Sequence, residues 1–174
     1  LYVPKNMPGK VAAIAVCGPY GAVKEQCSGL YAQIMAERGF ITLAFDPSFS
    51  GESGGQPRYV SSPDIYTEDY SVAVDFLMLH RDVDPERIGI IGICGWGGVA
   101  INAAVMDTRI KATVSSTMGA FDPYSTEERR EVRKQLAEQR TRDLLNGVLP
   151  ERSGGVPADL PEEAPDFMKD YRDY

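Results

Sequence analysis

Four short apolar runs, separated by helix-length stretches, constrain this 174-residue chain more than any other feature. Val11 to Cys17, Phe40 to Phe45, Ile88 to Ile93 and Ile110 to Ser115 are each bounded by Gly, Pro, Asp or Ser. Runs of this length, apolar almost throughout, are strands buried on both faces, as in a parallel sheet covered by helices. Between them, Lys24 to Arg38 places Leu30, Ile34 and Met35 at helical spacing and stops at Gly39. Thr67 to His80 does the same with Val72, Phe76 and Leu79, and a third helix is expected over Gly98 to Met106. Strands alternating with helices imply an α/β fold: a mostly parallel sheet, helices on both faces, right-handed crossovers. All four runs are expected to be neighbouring central strands.

Two stretches stand outside this alternation. Asp46 to Pro63 is rich in Gly, Ser and Pro and is long for a connection, which makes it a candidate functional loop. After Ser116 the composition changes: Glu127 to Arg142 is densely charged and helical, Gly147 to Pro165 is loop-like, and a short helix is expected near Asp166 to Asp170. The chain therefore divides into a core, residues 1–118, and a cap or lid segment, residues 119–174. Leu1-Tyr2-Val3-Pro4 reads as the end of a strand cut from its beginning, so the core is expected to be incomplete at both ends. Such a core would expose a sheet edge or an apolar face, and would need a missing C-terminal segment or self-association to cover it.

Charge and cysteine content exclude several classes. A net charge of -7, with Lys and Arg scattered rather than banded, opposes nucleic acid as a partner. No apolar stretch approaches the roughly 20 residues of a membrane span, and no leader opens the chain, so a soluble protein is expected. Cys17, Cys27 and Cys94 are too few and too dispersed for a disulfide framework or a zinc site. A reducing, cytoplasmic setting without metal or cofactor follows as the expectation.

The chemistry concentrates in Ile88-Gly-Ile-Ile-Gly-Ile-Cys-Gly-Trp-Gly-Gly98, a buried strand, a tight turn and a helix start. A nucleophile on such a strained corner projects its side chain at a helix N-terminus and needs small neighbours. Cys94 meets the first half of the pattern, with Gly92 two residues before it. The second half is displaced: Trp96 stands where a small residue belongs, and Gly97 and Gly98 follow one place late.

Gly18-Pro-Tyr-Gly-Ala-Val-Lys-Glu25, Phe45-Asp-Pro-Ser-Phe-Ser-Gly-Glu-Ser53, Asp84-Pro-Glu-Arg-Ile88, the corner itself and Asp107-Thr-Arg-Ile-Lys-Ala112 occur in this order. In this the chain resembles dienelactone-hydrolase-like α/β-hydrolases, from its first residues to about Met118. Dienelactone hydrolases use a cysteine in a G-x-C-x-G-G turn, so the resemblance implies Cys94 as nucleophile. Many relatives instead carry a serine two residues later, the position of Trp96. The resemblance further implies an oxyanion hole made by the N–H of Tyr20 or Gly21, since Pro19 has none to donate, and by that of Gly95. Trp96 would line the acyl side, and the substrate would be a small-molecule ester, lactone or thioester. The Asp and His of such a triad come from strands after the cap. The only histidine, His80, lies upstream at a helix end beside Arg81 and Asp82 and reads as a surface residue. Asp46 and Ser53 resemble a structural loop signature, and Cys17 and Cys27 read as packing residues.

Two other readings compete. Gly95-Trp-Gly-Gly-Val-Ala100 satisfies a dinucleotide fingerprint, but the next strand ends Val114-Ser115-Ser116-Thr117 without the acidic residue that would hold a ribose. Gly18 to Lys24 lacks the ending of a phosphate loop. The more serious competitor is a hydrolase-like scaffold or truncated fragment, its nucleophile lost to Trp96, with a binding role.

Overall fold

The computed structural model describes residues 1–56, 58–118, 125–148 and 161–163. Its elements run β1 (Val11–Cys17), α1 (Cys27–Glu37), β2 (Ile41–Ala44), α2 (Pro63–Met78), β3 (Val83–Ile93), α3 (Gly95–Met106), β4 (Ile110–Ser116) and α4 (Thr126–Leu145). The four strands form one sheet in the order β2-β1-β3-β4, and every neighbouring pair is parallel.

Alternation along the strands divides the core between the two faces. Ala13, Ala15, Ile88 and Ile90 pack on one side with Tyr70, Val74 and Leu77 of α2 and Val99, Ala100 and Ala103 of α3. Ile14, Val16, Ile91 and Ile93 pack on the other with Ala32 of α1. The placement follows from handedness. The β1-to-β2 connection runs in the opposite direction to β2-to-β3 and β3-to-β4, so right-handed crossovers put α1 on one face and α2 and α3 on the other. Fully buried Val16, Ile41, Ile88 and Ile90 each contribute about 1.5–3 kcal/mol of transfer free energy.

Three expectations are corrected. Only β1 and β3 are central; β2 and β4 are the outer strands of the described sheet. In β4 only Ile110 is buried, while Lys111, Ala112, Val114 and Ser115 are exposed. The helix faces are also displaced. In α1 the buried residues are Ser28, Gly29, Ala32 and Ala36, while Leu30 and Ile34 are exposed. In α2 they are Tyr66, Tyr70, Ala73, Val74 and Leu77, leaving Val72, Phe76 and Leu79 outside. In α1 small residues let the helix approach the sheet closely, so there size rather than hydropathy selects the buried face. Finally, α3 begins at Gly95 rather than Gly98.

Tyr2 forms an antiparallel bridge with Thr42 on the outer edge of β2, with N–H to carbonyl distances of 2.8 and 3.0 Å. A second compact unit comprises residues 120–172 and contains α4. That helix starts with a capping box in which Ser125 and Glu128 satisfy each other's backbone N–H, and none of its residues is buried. The expected helix near Asp166 to Asp170 lies outside the described residues, as does most of the loop before it. No helix among the described residues is long and apolar enough to cross a membrane.

Candidate active site

The corner between β3 and α3 is held in an unusual backbone conformation. Cys94 has φ 56° and ψ -123° and is the N-cap of α3, which starts with the next residue. A non-glycine residue in this region costs on the order of 1–3 kcal/mol and persists only where its surroundings impose it. They do so through space. A Cβ on Gly92 would stand 2.1 Å from the Trp96 carbonyl oxygen and 2.7 Å from the Ala100 Cβ, so only glycine lets α3 lie this close to β3. On the other side, the Cys94 N–H donates to the Ser116 carbonyl at 2.9 Å and ties the corner to the end of β4. Cys94 itself is a half-buried free thiol.

The displaced glycines also find their reason. Trp96 has no exposed surface. It stacks on Tyr66 with ring centroids 4.7 Å apart, and meets Phe45, Tyr70 and Tyr20 edge-on at 6.0, 5.4 and 6.4 Å. It thus belongs to the core on the α2 side, and Tyr20 is the most exposed member of this aromatic cluster. The close approach falls to Gly97, where a Cβ would stand 2.4 Å from the Ser115 Oγ. Gly98 has no such constraint, its nearest neighbour being the Met118 Sδ at 3.9 Å.

Tyr20 reaches the corner from the loop after β1. Its ring atoms lie 2.4 to 2.9 Å from where a Gly95 Cβ would be, so the aromatic ring rests on the first residue of α3. Burial, then the neighbouring Cys94, raises the pKa of its phenol, which stays protonated and able to donate at neutral pH. Among the described residues, the N–H groups of Tyr20, Gly21 and Gly95 have no hydrogen-bond partner. The loop is anchored behind them: the Gly18 carbonyl accepts from Ser28 Oγ at 2.7 Å and from Cys27 Sγ at 3.3 Å.

The remaining cysteines are placed for packing. Cys17 is buried and donates to the Phe45 carbonyl at 3.5 Å; burial pushes its thiol well up. Cys27 is half-buried, and burial followed by Cys94 raises its thiol. Asp46 is a loop anchor, with its carboxylate accepting from the N–H of Lys24 at 2.7 Å, of Glu52 at 3.0 Å and from Lys24 Nζ at 3.1 Å. Ser53 donates to the Asp46 carbonyl at 2.7 Å. His80 stands at the far end of the sheet, where α2 leads into β3, and its Nδ1 accepts from the Asp82 N–H at 3.3 Å. Cys94 follows the other end of β3, about 30 Å away at roughly 3.3 Å per strand residue. His80 cannot serve the corner as a base. No group of three or more His, Cys, Asp or Glu among the described residues could hold a metal ion.

The sequence profile of the X-Pro dipeptidyl-peptidase (S15) family matches residues 1–155. The chain belongs to that family. A 53% identical relative, the uncharacterized protein PA2218 of Pseudomonas aeruginosa, aligns with all of this S15-family chain and 49% of its own length. Its crystal structure superposes with a TM-score of 0.77 over 99% of this chain and 56% of that one. The thiohydrolase aneE of Aspergillus aculeatus is 38% identical over 103 residues, 59% of this chain and 32% of its own. The α/β-hydrolase GrgF of Penicillium sp. sh18 is 25% identical, with a TM-score of 0.68 over 87% of this chain and 52% of that one. The S15-family chain thus spans about half the length of the first relative and a third of the second. These likenesses place the sheet in an α/β-hydrolase core. The profile names a peptidase family rather than the dienelactone hydrolases of the sequence resemblance.

Proposed function

We propose that this chain supplies the nucleophile and oxyanion donors of a hydrolase that forms an acyl-enzyme on Cys94 from an ester, lactone or thioester. The observation that carries the reading is the strained backbone of Cys94 at the N-cap of α3. The thiolate sulfur attacks the substrate carbonyl carbon, the carbonyl electrons move onto oxygen, and the oxyanion is met by the N–H groups of Gly95 and of Tyr20 or Gly21. The Tyr20 hydroxyl, carried on a ring that rests on Gly95, adds a further donor. Collapse expels an alkoxide or thiolate, and water then releases the acid. Trp96 supports this pocket from behind, by holding Tyr20. The thiohydrolase name among the relatives favours a thioester within the class.

The base is not in this chain's described residues. The only histidine is His80, at the wrong end of the sheet, so the Asp and His would come from a segment beyond them, and the chain alone would turn over substrate negligibly. That same observation favours the second reading, an inactive scaffold with a binding role.

Competitive alkylation of the folded chain with iodoacetamide, followed by peptide mass spectrometry, separates the two. Cys94 is expected to react first and Cys17 last, because Cys17 is buried with a raised pKa. If Cys94 is the slowest of the three, it is core and the nucleophile reading fails.

A further inference from the structure

Two of the three cysteines share one face and one level of the sheet. Cys27, the first residue of α1, and Cys94, the N-cap of α3, both pack against the cluster of Ile14, Val16, Ile91 and Ile93 on the α1 side. Cys17 is buried in the cluster on the opposite face, so the sheet separates it from both. Parallel pairing sets the level. Cys17 of β1 is in register with Gly92 of β3, and the residues after them meet closely: a Cβ on Gly18 would stand 2.2 Å from the Ile93 carbonyl oxygen. Cys27 Sγ donates to the carbonyl of the same Gly18 at 3.3 Å. Gly18 is thus flanked by the Cys27 thiol and by the Ile93–Cys94 peptide, and it has no side chain to keep the two apart. Both thiols are free and half-buried. Burial, and after it the charge of a Cys94 thiolate close by, raises the Cys27 thiol.

We propose that Cys27 and Cys94 form a peroxide-oxidised thiol pair, in which Cys27 caps oxidised Cys94 as a reversible disulfide and shields it from irreversible oxidation. The consequence, a nucleophile switched off, rests on the acyl-enzyme reading above; formation of the bridge does not.

The thiolate, not the thiol, attacks a peroxide, and Cys27 is the partner held protonated. The Cys94 thiolate attacks one oxygen of hydrogen peroxide, the O–O bond breaks, hydroxide leaves and a sulfenic acid remains on Cys94. That acid is neutral, so the charge that opposed ionisation of Cys27 is gone. Cys27 then loses its proton and attacks the Cys94 sulfur, forming the S–S bond and expelling a second hydroxide. The two thiol protons and two hydroxides make two waters; two thiols are oxidised and one peroxide is reduced.

The 174-residue chain, treated with a small excess of hydrogen peroxide and quenched with iodoacetamide, is mapped by peptide mass spectrometry without reduction. A Cys27–Cys94 disulfide is expected, with Cys17 still a free thiol and both bridged thiols recovered in dithiothreitol. In Cys27→Ser, which keeps a donor for the Gly18 carbonyl, Cys94 should be consumed within twofold of the parent rate but end as sulfinic and sulfonic acid, which dithiothreitol does not reverse. The parent chain's own map decides if that variant fails to fold. Overoxidation of Cys94 in the parent with Cys27 still free, a bridge to Cys17 or between two chains, or Cys94 left unoxidised would overturn the proposal. Thioester turnover by the chain complemented with the unmatched half of the 53% identical Pseudomonas relative should fall at least tenfold on bridging and return on reduction. Turnover unchanged by a formed bridge would refute Cys94 as the nucleophile and leave the bridge standing, whereas fast alkylation of Cys94 with no bridge under peroxide would do the reverse.

Discussion

The corner's four glycines make a sharp prediction because each meets a different environment. An alanine at Gly92 would put its Cβ 2.1 and 2.6 Å from the Trp96 carbonyl oxygen and carbon and 2.7 Å from the Ala100 Cβ. Ordinary contact is 3.4 Å or more, so the first turn of α3 would have to retreat by about 1 Å, and backbone cannot rotate aside as a side chain can. Overpacking of this kind costs about 3 kcal/mol. At Gly98 the nearest atom to the new methyl is 3.9 Å away, and the residue lies within α3, where alanine gains about 0.5–1 kcal/mol over glycine. Gly92→Ala should therefore lower the midpoint of thermal unfolding by roughly 10 °C, and Gly98→Ala raise it by roughly 2–5 °C. Trp96 is the only tryptophan and sits in the corner itself, so its fluorescence follows the element at issue. Gly92→Ala should also shift its emission in the native state before heating. If Gly92→Ala is neutral while Gly98→Ala destabilises by more than about 1 kcal/mol, the close contact belongs to another register and Cys94 is not at the apex.

Three more outcomes follow from the same geometry. Trp96→Ala should cost about 3–5 kcal/mol in denaturant unfolding, since a fully buried indole touching four aromatic rings leaves a cavity no neighbour fills; a loss under 1 kcal/mol would place Trp96 at the surface. In the chain complemented by the relative's other half, Tyr20→Phe should lower kcat about 100-fold with KM little changed, whereas unchanged kcat would assign the oxyanion to backbone N–H groups alone. Arg109 bonds both carboxylate oxygens of Asp107, at 2.9 and 2.7 Å, and holds its pKa at about 2. A folded-state pKa below the unfolded one gives stability that is present above about pH 4 and lost as pH falls toward 2. Arg109 is more than a third exposed, so screening reduces this to about 1 kcal/mol; Asp107→Asn should remove it at pH 7 and flatten the acid limb between pH 4 and 2, and an unchanged limb would refute it.

The strand order was hidden from the sequence for reasons that particular residues make plain. Ile-Lys-Ala-Thr-Val-Ser-Ser reads as a buried run only if hydropathy is averaged; its alternate residues Ala112 and Val114 are exposed while Ser115 faces Gly97. In α1 and α2 the larger apolar side chains mark a helical period but not its phase. Leu30, Val72, Phe76 and Leu79 advertise a stripe that points outward; the packed stripe of α1 is made of Ser28, Gly29, Ala32 and Ala36, residues with little hydropathic signal, and that of α2 runs through Tyr66, Tyr70, Ala73, Val74 and Leu77. The onset of α3 was equally illegible, because three glycines in four residues oppose helix on propensity. Tertiary contact overrides it: Gly92 lets α3 lie against β3, and Gly97 lets it approach Ser115 of β4.

The site divides along the same line between local and non-local information. The corner at Cys94 was legible because a strand, a tight turn and a helix follow within eleven residues, so its geometry is written contiguously. The role of Trp96 was not. At the sequence level it could only be compared with the small residue a neighbouring register demands, which made it look like a lost nucleophile or a pocket wall. The structure turns it inward, because Tyr66 and Tyr70 on α2 and Phe45 after β2 form an aromatic box on that face, residues drawn from two separate segments. Once Trp96 fills that box, the requirement for a small residue passes to Gly97, and Tyr20 is propped over Gly95 by the rim of the same box. The tryptophan that appeared to spoil the nucleophile pattern is thus the residue that props Tyr20 over Gly95, beside Cys94. Loss of Trp96 should then show as misplacement of Tyr20 as much as loss of stability.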